Sequence, residues 1–283
     1  MATSDAKLKF DEPYNLVTSY CITPTILAFL RLLFALYTLV VLLFILIWDG
    51  VHHDGAQSYV VLFLCFGDIL MNAARYFSYF TNLSYIGICA YFFASGVQTF
   101  FYARNLKNGV EGYPLQRWPR PLQYLHVVLY CTITTLPILV TIVFWVLLAS
   151  SSTFATPFSG WSNISKHALN AVFALFELLG TNVGPYPWTV LPVVIVILGG
   201  YLGVAYITHA TQGIYTYSFL NPKKQGKKLA AYIIGIAIGA CIIFLIARAI
   251  IVLRVRFTKG SRKASVIEAS EPLVIEEKKS ESA

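Results

Sequence analysis

Apolar residues fall in six long runs separated by short polar stretches, at about 22–48, 83–103, 124–149, 167–183, 188–208 and 229–253. Each is close to the ~20 residues a helix needs to cross a hydrocarbon layer. Backbone groups in lipid must pair internally, so the runs predict helices. The ten-residue alternation of a membrane barrel is absent. A shorter apolar stretch at 59–66, ended by Gly67-Asp68, reads as re-entrant or interfacial. Continued to Phe80 it would make a seventh span. The expected fold class is all-α, a polytopic membrane bundle of about six transmembrane helices. It has a polar N-terminal arm (1–22), a six-span domain (23–253) and a disordered charged tail (254–283), whose Ser/Glu/Lys-rich pattern lacks helical periodicity.

Composition supports that pattern. The chain of 283 residues is 57% hydrophobic and 12% charged, with mean hydropathy +0.67. A soluble domain is nearer ~25% charged. Nucleic-acid readers, cytosolic enzymes and disulfide scaffolds are thereby excluded. The formal charge of +8 sits mostly in loops and tails, where Lys and Arg set orientation. With six spans, the arm, the loop with Arg104, Lys107, Arg117 and Arg120, and the tail share one side. That side carries roughly twice the basic residues of the other, so both termini are expected in the cytosol of an endomembrane or plasma-membrane protein. The cluster Lys223–Lys228 runs against this bias. The sequons at Asn82 and Asn163 fall on the non-cytosolic side.

Several patterns predict structure. The five cysteines contain no C-x-x-C pair and read as small core residues. Gly199-x3-Gly203 and Gly235-x3-Gly239 read as faces that let helices approach closely. Pro137 is a candidate kink in span three. No metal site is expected, because two adjacent histidines such as His52-His53 do not share a helix face. No nucleotide motif or other cofactor signature is present. Gly160-Trp161-Ser162-Asn163 lacks the second glycine of a nucleophile elbow.

Ionisable groups in a membrane interior are expensive and each asks for a reason. Arg31, Glu177 and Arg248 form a possible buried polar site, and His126, His167 and His209 add three imidazoles. His167 is expected to open span four, where Ser162 or Asn163 would cap the helix. The positive helix end would keep its imidazole neutral, as a general base must be. An interfacial histidine bonded to a loop is the plainer alternative. Asn170 follows on the same face. Glu177 lies ten residues on, ~15 Å along the axis, and should pair with Arg31 or Arg248 as an anchor or as part of a pocket. Thr81 opens span two, and His209 ends span five ahead of Tyr215 and Tyr217. By parity, Thr81, His167 and His209 share one membrane face with six spans or seven.

The run Phe80-Thr81-Asn82-Leu83-Ser84 leading to Tyr91-Phe92-Phe93 resembles the second span of the androgen-induced gene family. That family includes the androgen-dependent regulator of tissue factor pathway inhibitor. His167 with Glu177 is similar to the family's His-x9-Glu. His209-Ala210-Thr211 with Tyr217-Ser218-Phe219-Leu220 resembles its His-x-Thr and Tyr-Pro-Phe-Leu, with Ser218 in place of proline. The resemblance covers about residues 25–225. It implies a six-span hydrolase of fatty acid esters of hydroxy fatty acids, with Thr81 as nucleophile and His167 as its partner. His209 and Asn170 would then be candidates for orienting the substrate or stabilising an oxyanion. The expected partners are a lipid substrate and the bilayer, with no nucleic acid. A non-catalytic transporter or lipid-binding scaffold is the rival expectation.

Overall fold

A computed structural model describes residues 10–52 and 74–280, with the backbone alone for 50–52 and 259–280. The 59–66 stretch, and His53-Asp54 beside His52, lie outside the described residues. All regular structure among the described residues is helical. The main elements are α1 (Pro24–His52), α2 (Phe80–Lys107), α3 (Arg120–Val143), α4 (Pro157–Ile164), α5 (Asn170–Gly180), α6 (Val190–Gln212), α7 (Pro222–Gln225) and α8 (Lys228–Ser280). Two π turns interrupt the series. Phe144–Leu148 extends α3, and Ser165–Leu169 joins α4 to α5.

Five helices are long and apolar enough to cross a membrane: Pro24–Asp49, Phe80–Lys107, Arg120–Leu148, Val190–Gln212 and Lys228–Thr258. Their burial pattern inverts that of a soluble bundle. On α1, Phe29, Leu33, Leu36 and Val40 are exposed, while Arg31 and Thr38 are buried. Greasy faces point outward and polar groups point in, as expected where lipid is the solvent.

The fourth expected span differs from expectation. Its helical run starts at Pro157, not His167, and ends at Gly180. Thr156 is the N-cap: its hydroxyl accepts from Ser159 N at 3.0 Å, with Pro157 in the first turn. Ser162 and Asn163 lie inside the helix, so they do not cap it. The early start has a packing reason. Phe158 and Trp161, one turn apart, both meet Phe44 of α1, and Phe158 stacks on Trp48 at 4.6 Å between centroids. His167 therefore sits inside the run, and the argument from the helix end does not apply to it.

Three further expectations change. The two small-residue faces make no tight helix approach among the described residues: a Cβ at Gly199, Gly203 or Gly235 would meet nothing within 4 Å, and one at Gly239 would meet Leu139 Cδ1 of α3 at an ordinary 3.6 Å. The tight approach is at Gly96 of α2, where a Cβ would come within 2.9 Å of Leu32 Cδ2 on α1. The described part of the N-terminal arm, from Phe10 on, is docked. A 3-10 turn at Asn15–Val17 buries Leu16 and Val17, and Tyr113 Oη donates to Asp11 Oδ2 at 2.6 Å. The α8 backbone runs helical past position 254 to Ser280. Arg254, counted above with the tail, is buried. It donates to the backbone carbonyls of Leu178 and Val183. These carbonyls lie at and beyond the end of α5, where the helix dipole favours a cation.

The bundle thus has two ends. The arm, the start of α1 and the ends of α2 and α5 meet at one, the arm end. The ends of α1, α3 and α6 and the starts of α2 and α8 lie at the other.

Candidate functional site

The end opposite the arm holds a polar cavity of about 670 Å³. Thr81 and Asn82 reach it from α2, Lys166 and His167 from the π turn, Trp48 and Asp49 from α1, and Tyr217 from the loop after α6. Arg75, Tyr76 and Tyr79 complete that face. A second cavity of about 270 Å³ has an almost wholly apolar lining, including Leu139, Val143, Leu198, Leu202 and Ile236. Thr81, Phe144, Leu148 and Tyr217 line both. Thr81 therefore stands between a polar chamber and a lipophilic one.

Thr81 is the second residue of α2, after Tyr79 at the cap. Its N–H is one of the first-turn amides with no partner inside the helix. It donates to Tyr217 Oη at 3.3 Å, and Thr81 Oγ1 pairs with the same phenol oxygen at 3.3 Å. Gly213, at φ 70°, ends α6 in the left-handed conformation and turns the chain back toward the cavity. Tyr201 Oη then holds the returning loop through Thr216 Oγ1 at 3.1 Å.

His167 is buried in the π turn. Its ring lies parallel to Phe144, 3.5 Å between centroids, and its carbonyl accepts from Trp145 Nε1 at 2.9 Å. The two π turns thus meet through Phe144 and Trp145 against His167, and π turns are frequent at functional sites. Nδ1 of His167 is buried without a hydrogen-bond partner, and so is Asn82 Oδ1. The Asn82 amide is oriented by Nδ2 donating to Tyr76 O at 2.8 Å. No hydrogen bond joins His167 to Thr81 here; the threonine hydroxyl is held by Tyr217 instead. Lys166 shares the cavity with Asp49 of α1, whose carboxylate is its electrostatic counterpart.

The structure brings Thr81 and His167 to one cavity and leaves the other candidates out of it. His209 stacks on Tyr215 at 3.8 Å and does not line either chamber. It ends α6 on the same side but faces its own loop. Asn170, which follows the π turn, binds Thr141 of α3, whose Oγ1 donates to Asn170 Oδ1 at 2.9 Å. Glu177 pairs with Arg31, whose Nε and Nη2 donate to its two oxygens at 2.8 Å each. Tyr91 Oη adds a third bond at 2.9 Å. Arg31 Nη1 donates to Leu16 O at 2.9 Å and Thr99 Oγ1 at 2.7 Å. Both members are fully buried. Arg248 stays outside this cluster, with its guanidinium 4.5 Å from the Trp188 ring centroid. His126 packs on Tyr91 at 5.8 Å.

Sequence reasoning missed Asn82, Lys166 and Arg254 as participants. Asn82 reads as a sequon but is buried with its amide engaged. A signal existed for Arg254, which follows an apolar run one turn beyond Ile251, itself fully buried. Among the described residues no three His, Cys, Asp or Glu side chains cluster as metal ligands would. The chain matches no family model, no curated protein and no solved structure.

Proposed function

We propose that this protein is a membrane-embedded lipid ester hydrolase with Thr81 as nucleophile and His167 as general base. One observation carries the reading: Thr81 and His167 line the same polar cavity, and Thr81 also walls the apolar chamber beside it. An amphiphilic ester fits that division, with its acyl chain in the apolar chamber and its polar remainder in the larger space. Fatty acid esters of hydroxy fatty acids, which the sequence resemblance implies, have this shape.

In the reaction, Thr81 Oγ1 bonds to the ester carbonyl carbon and its proton passes to His167. Collapse of the tetrahedral intermediate breaks the carbon–alkoxide bond, and His167 returns the proton to the departing alcohol. Water then attacks the acyl-threonine with His167 again as base, and the acid leaves as the Thr81 hydroxyl is restored. A hindered secondary hydroxyl needs its base in hydrogen-bond reach. The reaction therefore requires the His167 ring and Thr81 to close up when substrate is bound. Apo sites of this kind are commonly looser than their complexes.

The rival reading, a transport path or lipid scaffold built on Arg31, Glu177 and Arg248, has less support. Arg31 and Glu177 are saturated with bonds to each other and to neighbours, and Arg248 lies apart from them. In the proposed orientation the arm end and both termini are cytosolic, and the cavity opens toward the opposite face of an endomembrane or plasma membrane.

The test is labelling of the detergent-solubilised protein by a fluorophosphonate probe. Wild type should label, and Thr81→Ala and His167→Ala should not, with all three equally well folded. Undiminished labelling or ester turnover in Thr81→Ala would end the assignment.

A further inference from the structure

Tyr217 has the position that the sequence had offered to His209. Its Oη lies 3.3 Å from Thr81 N and 3.3 Å from Thr81 Oγ1. It therefore touches both the nucleophilic oxygen and the amide beside it. The ring is fixed on two sides: it lies parallel to Phe219 at 5.2 Å and edge-on to Tyr79 at 5.9 Å. The same side chain forms part of the wall shared by the two chambers.

The geometry points to Tyr217 as a catalytic residue that, with the Thr81 N–H, donates to the oxyanion formed on the substrate carbonyl. This inference rests on Thr81 being the nucleophile. A carbonyl carbon bonded to Oγ1 must hold its oxygen close to Oγ1, within reach of a phenol and an amide that already converge there. Both present bonds are long for their types. They are weak in the resting site and are exchanged for charge-assisted bonds when the oxyanion forms. An interaction that is poor in the ground state and strong in the transition state raises turnover and leaves substrate binding alone.

The donation involves no proton transfer. As Thr81 Oγ1 bonds to carbon, the carbonyl π pair moves to oxygen, and that oxygen accepts hydrogen bonds from Tyr217 Oη and Thr81 N. On collapse the pair returns to the carbonyl, the alkoxide leaves with the proton from His167, and the phenol is unchanged. Desolvation pushes the Tyr217 phenol above its ordinary value, so it stays protonated at neutral pH and keeps the hydrogen it must give. His167 is thus left to move the proton, and the two tasks fall to different side chains.

The experiment is steady-state hydrolysis of a p-nitrophenyl acyl ester by full-length protein in detergent. It compares wild type, Thr81→Ala, Tyr217→Phe and Tyr206→Phe. The last removes a neighbouring hydroxyl, bonded to Leu220 O at 3.4 Å, that lines neither chamber. Tyr217→Phe keeps the stacked ring and loses only the donor. We expect its kcat to fall about 10²–10³-fold, as when one oxyanion donor is removed, with KM within about twofold and an unchanged melting temperature. Tyr206→Phe should match wild type. If Thr81→Ala is inactive while Tyr217→Phe keeps kcat within about threefold, or loses activity only through KM or melting, the Tyr217 role is overturned and the nucleophile stands. If Thr81→Ala hydrolyses the ester as wild type does, the hydrolase reading falls and this inference with it.

Discussion

At the arm end, Arg31 and Glu177 are buried with every polar atom engaged. At the opposite end, Asn82 Oδ1 and His167 Nδ1 are equally enclosed and have no partner. Both ends place polar groups where a membrane protein can least accommodate them; the Arg31–Glu177 pair completes its bonding, while Asn82 and His167 do not, nor do the Tyr130 hydroxyl and Arg248 Nε elsewhere in the bundle. A saturated network in low dielectric rigidifies its surroundings. An unpaired buried atom carries a penalty of about 1–3 kcal/mol until a partner arrives. The difference separates a clasp that holds helices together from a site that stays receptive. The cavity follows the same division, since Thr81, Asn82 and His167 border open space.

The largest effect should come from breaking the clasp. Glu177→Leu strands the Arg31 charge and should lower stability by about 3–5 kcal/mol, read from unfolding in detergent. Adding Arg31→Met to the same chain should recover most of that loss, because an apolar pair replaces the stranded ion. Persistent instability of the double variant would mean that the bonds to Leu16, Thr99 and Tyr91 matter more than the charge.

The cavity end should respond in the other currency. His167→Ala should cost about 10²–10⁴-fold in ester turnover with a smaller fall in melting temperature than Glu177→Leu, since it leaves a space beside Phe144 but strands no charge. Equal losses of stability at the two ends would erase the contrast between clasp and cavity. A smaller effect is expected at Arg254, where Arg254→Met leaves the Leu178 and Val183 carbonyls unpaired and should cost about 1–3 kcal/mol, again measured by unfolding.

The mildest prediction concerns the arm. Burial, and then Asp11, push the Tyr113 phenol above its ordinary value. A raised phenol contributes its full stabilisation below the unfolded pKa of about 10 and loses it as pH climbs above that. A spin label on exposed Cys21 should report an immobile arm at pH 7–9 and growing mobility above about pH 10. In Tyr113→Phe that dependence should disappear. A label that mobilises in the same way in both proteins would show that something other than this phenol releases the arm.

Much of this division was legible in the sequence. Uninterrupted apolar runs gave the long helices to within a few residues, because lipid demands length and hydropathy together. Parity alone placed Thr81 and His167 at one end. Parity could not give azimuth, and so His209 was placed with them although its ring turns to Tyr215. The partner of Glu177 was narrowed to Arg31 or Arg248, and packing chose Arg31. The start of α4 was hidden because Ser, Asn and Gly at 159–163 read as a loop, while Phe158 and Trp161 gain their helical reason from α1. Tyr217 carries no local pattern that marks it as a neighbour of Thr81. That contact arises from a turn at Gly213 and spans the whole length from α2 to the end of α6.

The π turn at Ser165–Leu169 sets a rule for how this segment can vary. A π turn is an α-helix carrying one extra residue. The regular turns on either side have no extra residue to give up, and a residue removed from them rotates everything beyond it by about 100°. Lys166 and His167 face the cavity on one side of the join, and Glu177 faces Arg31 on the other. Substitutions between 157 and 180 are therefore absorbed one side chain at a time. A single-codon deletion in those regular turns is not, because it would put the polar cavity and the buried clasp out of phase at a stroke.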